Sequence, residues 1–305
     1  MASKQPAHRV LSYVVPAGES YVDIASALSQ INRRLYRQGM QYAVQKIEYS
    51  YVAAVDAVTS QHLTAYAAGD TWVVHNAWKK AQAHWLAQQR RARRLIGQSA
   101  KPTWEDFKVY LDDTHRSGTK LGVIAADGAA VGTGEWDYSK FHVEAEDHSI
   151  LEWYLHLIGG DVSTTDKGLI LGYQESRATV QAEDPDLPGS YGDNMYATMA
   201  DDIDDVAQYV ASDMEDENDE PPYDQDDYPG NDTNSDRPWI MELAAASSGS
   251  PNATLDGFIS QCGLLLFNNQ AYDPAGNLAS AVNMAVTVHI APGGYKGVAA
   301  IPMGQ

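Results

Sequence analysis

Val282-Asn-Met-Ala-Val-Thr-Val-His-Ile290 places an apolar side chain at every second position, with Asn283, Ala285, Thr287 and His289 between them. Successive side chains of an extended chain point to opposite faces, so this alternation predicts a strand with one face on a core and the other on solvent. Just upstream, Phe258 to Phe267 is an almost unbroken apolar run containing Cys262-Gly-Leu-Leu-Leu-Phe267. Two core strands are expected there, and Pro292-Gly-Gly294 and Pro302 end regular structure beyond them.

Working outward, the same period recurs. Ile47, Tyr49, Tyr51, Ala53 and Val55 alternate with wetter residues in a long strand, and His62 to Ala67 and Thr71 to Val74 read as shorter ones separated by Gly69-Asp70. Phe107, Val109 and Leu111, and later Leu151, Trp153, Leu155 and Leu157, repeat the alternation. Gly168 to Tyr173 and Arg177 to Gln181 are expected to pair across a turn, and Asp127 to Gly134 reads as a Gly-rich loop. Two helices interrupt the pattern. Ser20 and Asp23 open one in which Ile24, Leu28, Ile31 and Leu35 share a face, with Gly39 as its C-terminal cap. The other is expected from an Asn76 N-cap to Gly97, with Ala77, Trp78, Ala81, Trp85, Ala92, Leu95 and Ile96 on one side and Lys79, Lys80, Arg90, Arg91, Arg93 and Arg94 on the other.

Charge is sorted along the chain. Asp201 to Asp236 holds 15 acidic residues and no Lys or Arg, whereas Thr71 to Trp104 holds seven bases and no acid; the net charge is −20. A region spanning about 183–238, rich in Pro and acid, is expected to be a surface insertion in a single domain covering 1–305, with a short helix at Asp201 to Ser212. Six cations on one helix face repel one another unless an anion offsets them, which makes that face a candidate partner surface. The N-terminus has no apolar stretch of signal-peptide length and no run reaches the roughly 18 apolar residues of a membrane helix, so a non-membrane chain made in a cytosol is expected.

Catalytic and cofactor signatures are sparse. Gly128 to Gly134 lacks the Lys-Ser/Thr ending of a phosphate-binding loop, and neither a Gly-x-Ser-x-Gly elbow nor a His-Glu-x-x-His pair occurs. His142, Glu144, Glu146, Asp147, His148 and His156 are the densest group of potential metal ligands but have no fixed spacing, and Asp112-Asp113 with His115 is weaker. No cofactor is expected; Asp201, Asp202, Asp204 and Asp205, or Asp224, Asp226 and Asp227, would attract Ca²⁺ only loosely, as counter-ions. The lone Cys262 reads as a small buried hydrophobe. Asn231 and Asn252 head Asn-x-Thr triplets. The aromatic balance, seven Trp and 18 Tyr against four Phe, suits surfaces half-buried against another molecule.

Several strings taken in order resemble capsid proteins of small circular single-stranded DNA viruses known from environmental sequences. They are Gly18-Glu-Ser-Tyr-Val-Asp-Ile24, Asn32-Arg-Arg-Leu-Tyr-Arg-Gln-Gly39, Asp70-Thr-Trp-Val-Val-His-Asn-Ala-Trp-Lys-Lys80 and Asp106-Phe-Lys-Val-Tyr110. Gly172-Tyr-Gln-Glu-Ser-Arg177, Pro221-Pro-Tyr-Asp224, Tyr228-Pro-Gly230, Asp256-Gly-Phe258 and Gly294-Tyr-Lys-Gly-Val-Ala-Ala300 extend the likeness over nearly the whole chain. The resemblance implies a jelly-roll sandwich of two antiparallel sheets with long interstrand insertions. It further implies many copies closing into an icosahedral shell in a virion, no enzymatic activity, and packaged single-stranded DNA as partner. Where many such proteins carry a basic N-terminal arm, this chain offers only Lys4 and Arg9. That departure counts against genome contact; if packaged DNA is contacted, the residues expected to do so are Lys79, Lys80, Arg90, Arg91, Arg93 and Arg94, and secondarily Arg33, Arg34 and Arg37, through phosphates and without sequence readout. The same cations would alternatively meet the acidic insertion of a neighbouring subunit. A jelly-roll carbohydrate-binding protein or glycoside hydrolase is the rival reading, and the sorted basic helix is the feature it leaves unexplained. A non-viral nucleic-acid-binding module is opposed by the net −20.

Overall fold

The computed structural model describes residues 6–50, 58, 60–96, 105–125, 127–132, 134–144, 148–176, 228–231, 240–247, 249–280 and 282–304. In chain order the strands are β1 (Val10–Val15), β2 (Gly18–Asp23), β3 (Met40–Ser50), β4 (Ser60–Ala67), β5 (Lys140–Glu144), β6 (Ile150–His156), β7 (Asp166–Gly168), β8 (Ile240–Ser247), β9 (Asn252–Leu255), β10 (Phe258–Ser260), β11 (Leu264–Tyr272), β12 (Leu278–Ala279), β13 (Met284–Ile290) and β14 (Ala300–Pro302). The helices are α1 (Ile24–Asn32), α2 (Trp72–Ile96) and α3 (Leu169–Glu175). The protein is mainly β, as expected.

The body of the fold is a set of nested antiparallel pairs. β1 pairs with β13, β2 with β11, β3 with β9 and β10, and β4 with β8. Cross-pairing of β13 with β3 and of β11 with β4 then gathers these strands into two sheets, ordered β1-β13-β3-β10 and β12-β11-β4-β8, with β2 also on β11. Leu11, Tyr13, Ile47 and Val288 of the first sheet and Leu63, Leu265 and Phe267 of the second belong to one buried cluster.

The apolar run at β11 is buried on both faces. Leu265 and Phe267 enter the core between the sheets, while Leu264 and Leu266 join a second core with Trp78, Phe107 and Leu155. All four are 0% exposed, and a fully buried Leu or Phe contributes ~1.5–3 kcal/mol. Against this second core stand α2, α3 and a small sheet in which β6 pairs antiparallel with β5 and parallel with β7. Cys262 is fully buried, as expected of a small hydrophobe.

Several local expectations are corrected. β3 begins at Met40, ahead of the alternation that starts at Ile47, because a bulge shifts the register between His289 and Ile290. Tyr42 and Val44 thereby share a core with Ile47 and Tyr49 although their sequence parity differs. Gly257 sits against that bulge, where an added Cβ would lie 2.5 Å from the Gln45 carbonyl oxygen. α1 is capped by Asp23, whose carboxylate accepts from the Ser26 N–H at 2.9 Å. It ends at Arg33 in the left-handed conformation (φ 52°), so Gly39 is not its cap; Gly39 instead gives room to the Trp78 ring, 2.7 Å from where a Cβ would stand.

Thr71 to Val74 is not a strand. Thr71 Oγ1 accepts from Val74 N–H at 3.3 Å at the start of α2, and Asn76 lies within the helix. Burial of Val73 and Val74 overrides their β-branched preference. Gly168 to Tyr173 forms the end of β7 and most of α3, burying Leu169, Ile170 and Tyr173, while Arg177 to Gln181 lies outside the described residues. Phe107, Val109 and Leu111 are buried as the alternation requires, yet no regular ladder forms. Tyr110 alone bridges β6, donating to Leu155 O at 2.9 Å, and Val109 N–H is taken by the Gln38 side chain at 2.6 Å. Of the insertion expected over about 183–238, only residues 228–231 are described, and Tyr228 and Asn231 are fully buried rather than on the surface. The stretch Asp201 to Ser212 lies outside the described residues. Buried Asn231 donates its amide to Gln174 Oε1 at 2.8 Å and is closed to glycosylation, whereas Asn252 is exposed.

Gln38 ties two carboxylates together: its N–H donates to Asp106 Oδ2 and its side-chain amide to Asp23 Oδ2, both at 3.0 Å. Desolvation is the main cause that raises Asp106 above the ordinary carboxylate range, partly offset by the Gln38 N–H and by Lys108, Arg37 and Lys296; Asp23 is raised by burial too, and by Asp106. A raised carboxyl holds its proton more tightly in the folded chain than in the unfolded one. Its contribution therefore favours the fold in acid and declines as pH climbs from the ordinary carboxylate range through the raised value. Asp106→Asn keeps an acceptor for Gln38 and is expected to lose less urea stability than the parent chain as pH is raised from about 4 towards neutrality; equal losses in the two proteins would refute the assignment.

Candidate partner and nucleic-acid interface

The long helix sorts its cations into three groups. At ~100° per residue, Lys79, Arg90 and Arg94 fall within about 60° of one another, and Lys80 and Arg91 form a second stripe roughly 60–100° further round. Lys79, Arg90 and Arg94 are exposed, with Lys79 Nζ donating to Gly304 O at 3.2 Å. Lys80 and Arg91 line a groove of about 540 Å³ between α2, α3 and the β5-β6-β7 sheet. Arg93 belongs to neither stripe: it is half-buried in an ion pair with Glu105. The expected apolar side also divides, since Ala77, Trp78, Ala81 and Trp85 are buried but Leu95 and Ile96 are 87% and 66% exposed.

Arg33, Arg34 and Arg37 are exposed in the turn between α1 and β3, and none lines the groove. Their turn is fixed by backbone bonds: Tyr42 OH donates to Arg37 O at 2.6 Å and Arg37 N–H to Tyr295 Oη at 3.1 Å. These three cations are therefore brought together with one another but not with Lys80 and Arg91.

The groove has an apolar floor and a cationic rim. Ala81, Val143, Leu155 and Leu169 contribute aliphatic surface, with the rings of Phe141, Trp153 and Tyr173. Two of these rings are already engaged, Trp153 by Lys167 at 5.4 Å and Tyr173 by Lys80 at 5.7 Å and by Tyr228. Lys80 also bonds Ser176 Oγ at 2.5 Å. The lining acids are Asp161, paired with Lys167, and Glu175. His84 and Gln88 also line the α2 side; sequence reasoning had no signal for Gln88, because its partner His142 comes from β5, 54 positions on.

A second concavity, of about 650 Å³, lies between α1 and the segment 120–138. Its walls include Gln30, Tyr110, Lys120, Trp136, Asp137 and Tyr138. Asp23 at its edge accepts from Trp136 Nε1 at 2.9 Å, and Tyr110 stacks on Tyr138 with centroids 4.1 Å apart. His115 there is neutral, its pKa pushed down to about 3 by burial and by Lys120. Its Nδ1 accepts from Leu111 N–H at 2.9 Å, which leaves the proton on Nε2.

The residues of the candidate metal groups disperse. His148 pairs with Glu144 at 2.7 Å, His142 lies 3.7 Å from Glu152, and His156 bonds the Ile158 carbonyl, while Glu146 and Asp147 lie outside the described residues. Asp112 accepts from Tyr21 OH and from the N–H groups of Thr114 and His115, closing a local turn. Among the described residues no three of His, Cys, Asp and Glu converge as metal ligands, and no helix is long and apolar enough to cross a membrane.

Gln88 fixes the groove's outer wall. Its side-chain amide donates to His142 O at 2.6 Å and accepts from His142 N–H at 3.2 Å, standing in for a strand neighbour at the β5 edge. Gln88→Ala is expected to cost about 1 kcal/mol and to accelerate hydrogen exchange of the His142 amide; unchanged exchange there would show that the clamp does not hold in solution. No family model, no curated protein and no solved structure matches the chain.

Proposed function

We propose that the chain is the structural subunit of a self-assembling shell, built on a jelly roll and enclosing single-stranded DNA. The observation that carries the reading is the nesting of eight strands, β1, β2, β3, β4, β8, β10, β11 and β13 in chain order: the first of these pairs with the eighth (β1 with β13), the second with the seventh (β2 with β11), the third with the sixth (β3 with β10) and the fourth with the fifth (β4 with β8). An eight-strand hairpin that pairs in this way and rolls into two sheets is the jelly-roll plan, one shared by viral capsid and lectin domains. The long stretch between β4 and β8, which carries α2, the small sheet and α3, is the kind of insertion that gives such a subunit its contact surfaces.

Within this reading the exposed stripe of Lys79, Arg90 and Arg94 meets phosphates by counter-ion release, without reading bases. Arg93 is excluded from that role by its pairing with Glu105. The shell subunit is assigned no reaction. The polar, aromatic-walled concavity beside Trp136 and Tyr138 favours a second reading, a carbohydrate-binding jelly roll, because hydrogen-bonding groups and rings together suit a sugar.

Size-exclusion chromatography with negative-stain microscopy separates the two: closed particles are expected, and a chain that stays monomeric at every concentration while binding glycans sinks the shell reading. In assembled particles, Lys79→Glu with Arg90→Glu and Arg94→Glu is expected to leave the shell intact and lower its DNA content. In binding to oligo-dT the same variant should flatten the dependence of log K on log salt by about 2. Unchanged DNA content and slope would remove the stripe from genome contact.

A further inference from the structure

We infer that the groove between α2 and the small sheet docks a short acidic amphipathic peptide, supplied by the stretch Asp201 to Ser212 of a second copy of the chain. The inference rests on the self-association reading above, and deepens it by naming one contact.

The groove's chemistry favours a peptide over a nucleic acid. Single-stranded DNA needs open ring faces on which bases stack. Here Lys167 sits over Trp153, and Tyr173 is flanked by Lys80 and Tyr228. The apolar surface left open is narrow, the Phe141 ring and Val143, with Ala81, Leu155 and Leu169 buried beneath it; one open ring offers no run of stacked bases, whereas such a strip suits a few branched side chains projecting from one face of a helix. Lys80 and Arg91 line one wall, where they would flank the acidic face of such a helix. Lys167 is neutralised by Asp161, which leaves Lys80 and Arg91 to set the side on which the peptide's charged face lies.

The chain encodes a sequence of that description. In Asp201-Asp-Ile-Asp-Asp-Val-Ala-Gln-Tyr-Val-Ala-Ser212, Ile203, Val206, Ala207 and Val210 recur at i, i+3, i+4 and i+7, and four aspartates lie beside them. In the chain the stretch falls between Ser176, on the groove's rim, and Tyr228, against Tyr173.

The test titrates a fluorescently labelled peptide of the sequence 201–212 into the full-length chain carrying Ile203→Ser, Val206→Ser and Val210→Ser, which disables the resident stretch. Saturable binding is expected. Adding Lys80→Glu and Arg91→Glu should weaken it about tenfold or more, while Lys79→Glu and Arg90→Glu, an equal change of charge on the outward stripe, should weaken it less than about threefold. Circular dichroism of each variant checks that the fold is kept. The inference is overturned if the groove and outward variants bind alike, if a peptide with its apolar residues scrambled binds equally well, or if oligo-dT displaces the peptide competitively, which would make the groove a nucleic-acid surface. Sedimentation of the parent chain tests self-association separately: assembly without peptide binding defeats this inference alone, and absence of assembly defeats the shell reading.

Discussion

The fold depends on one strand having no wet face over its first four residues. β11 buries Leu265 and Phe267 between the two sheets and Leu264 and Leu266 beneath the long helix, so neither core is complete without it. The requirement is geometric: a strand alternates its side chains, and only an unbroken apolar run satisfies cores on both sides at once. The concavity beside Trp136 rests against the first of those cores, whereas the basic helix and its groove are mounted on the second. α2 is held there by Trp78 and Trp85, and the small sheet by Leu155 and its neighbours.

This architecture explains how much was legible in the residues alone. The alternation of Val282 to Ile290 maps onto β13, and the apolar run onto β11, because burial on one face or two writes itself into the pattern directly. The start of β3 was hidden by its bulge, which inverts the phase of Tyr42 and Val44 relative to Ile47 and Tyr49. Val73 and Val74 misled in the opposite direction: local preference favours a strand, and the core beneath α2 outweighs it. Gly39 was read as a helix cap and Gly168 as the start of a strand, yet Gly39 is set by a tryptophan ring and Gly168 by the Gly159 carbonyl, contacts that no local rule contains.

The candidate interface was half legible for a related reason. Charge sorting located the helix, and helical periodicity separated a basic side from an apolar one. It did not separate the basic side into an outward stripe and a groove wall, since that division is made by β5 and β6 packing against α2. Arg93 shows the cost of reading charge without partners: Glu105 lies just outside the acid-free window, and pairs with it. The Gln38 link between Asp23 and Asp106 was invisible for the same reason, because its three members are separated by up to 83 positions.

One contact bears on how this chain can change over time. Tyr228 and Asn231 lie against Tyr173 and Gln174 of α3, so residues 55 and 57 positions apart share a single clasp. For two ends pinned together in this way, doubling the length of a flexible stretch between them adds only about 0.6 kcal/mol of closure entropy. The clasp itself is therefore nearly indifferent to the sequence distance it spans, and lineages that alter that distance can keep it.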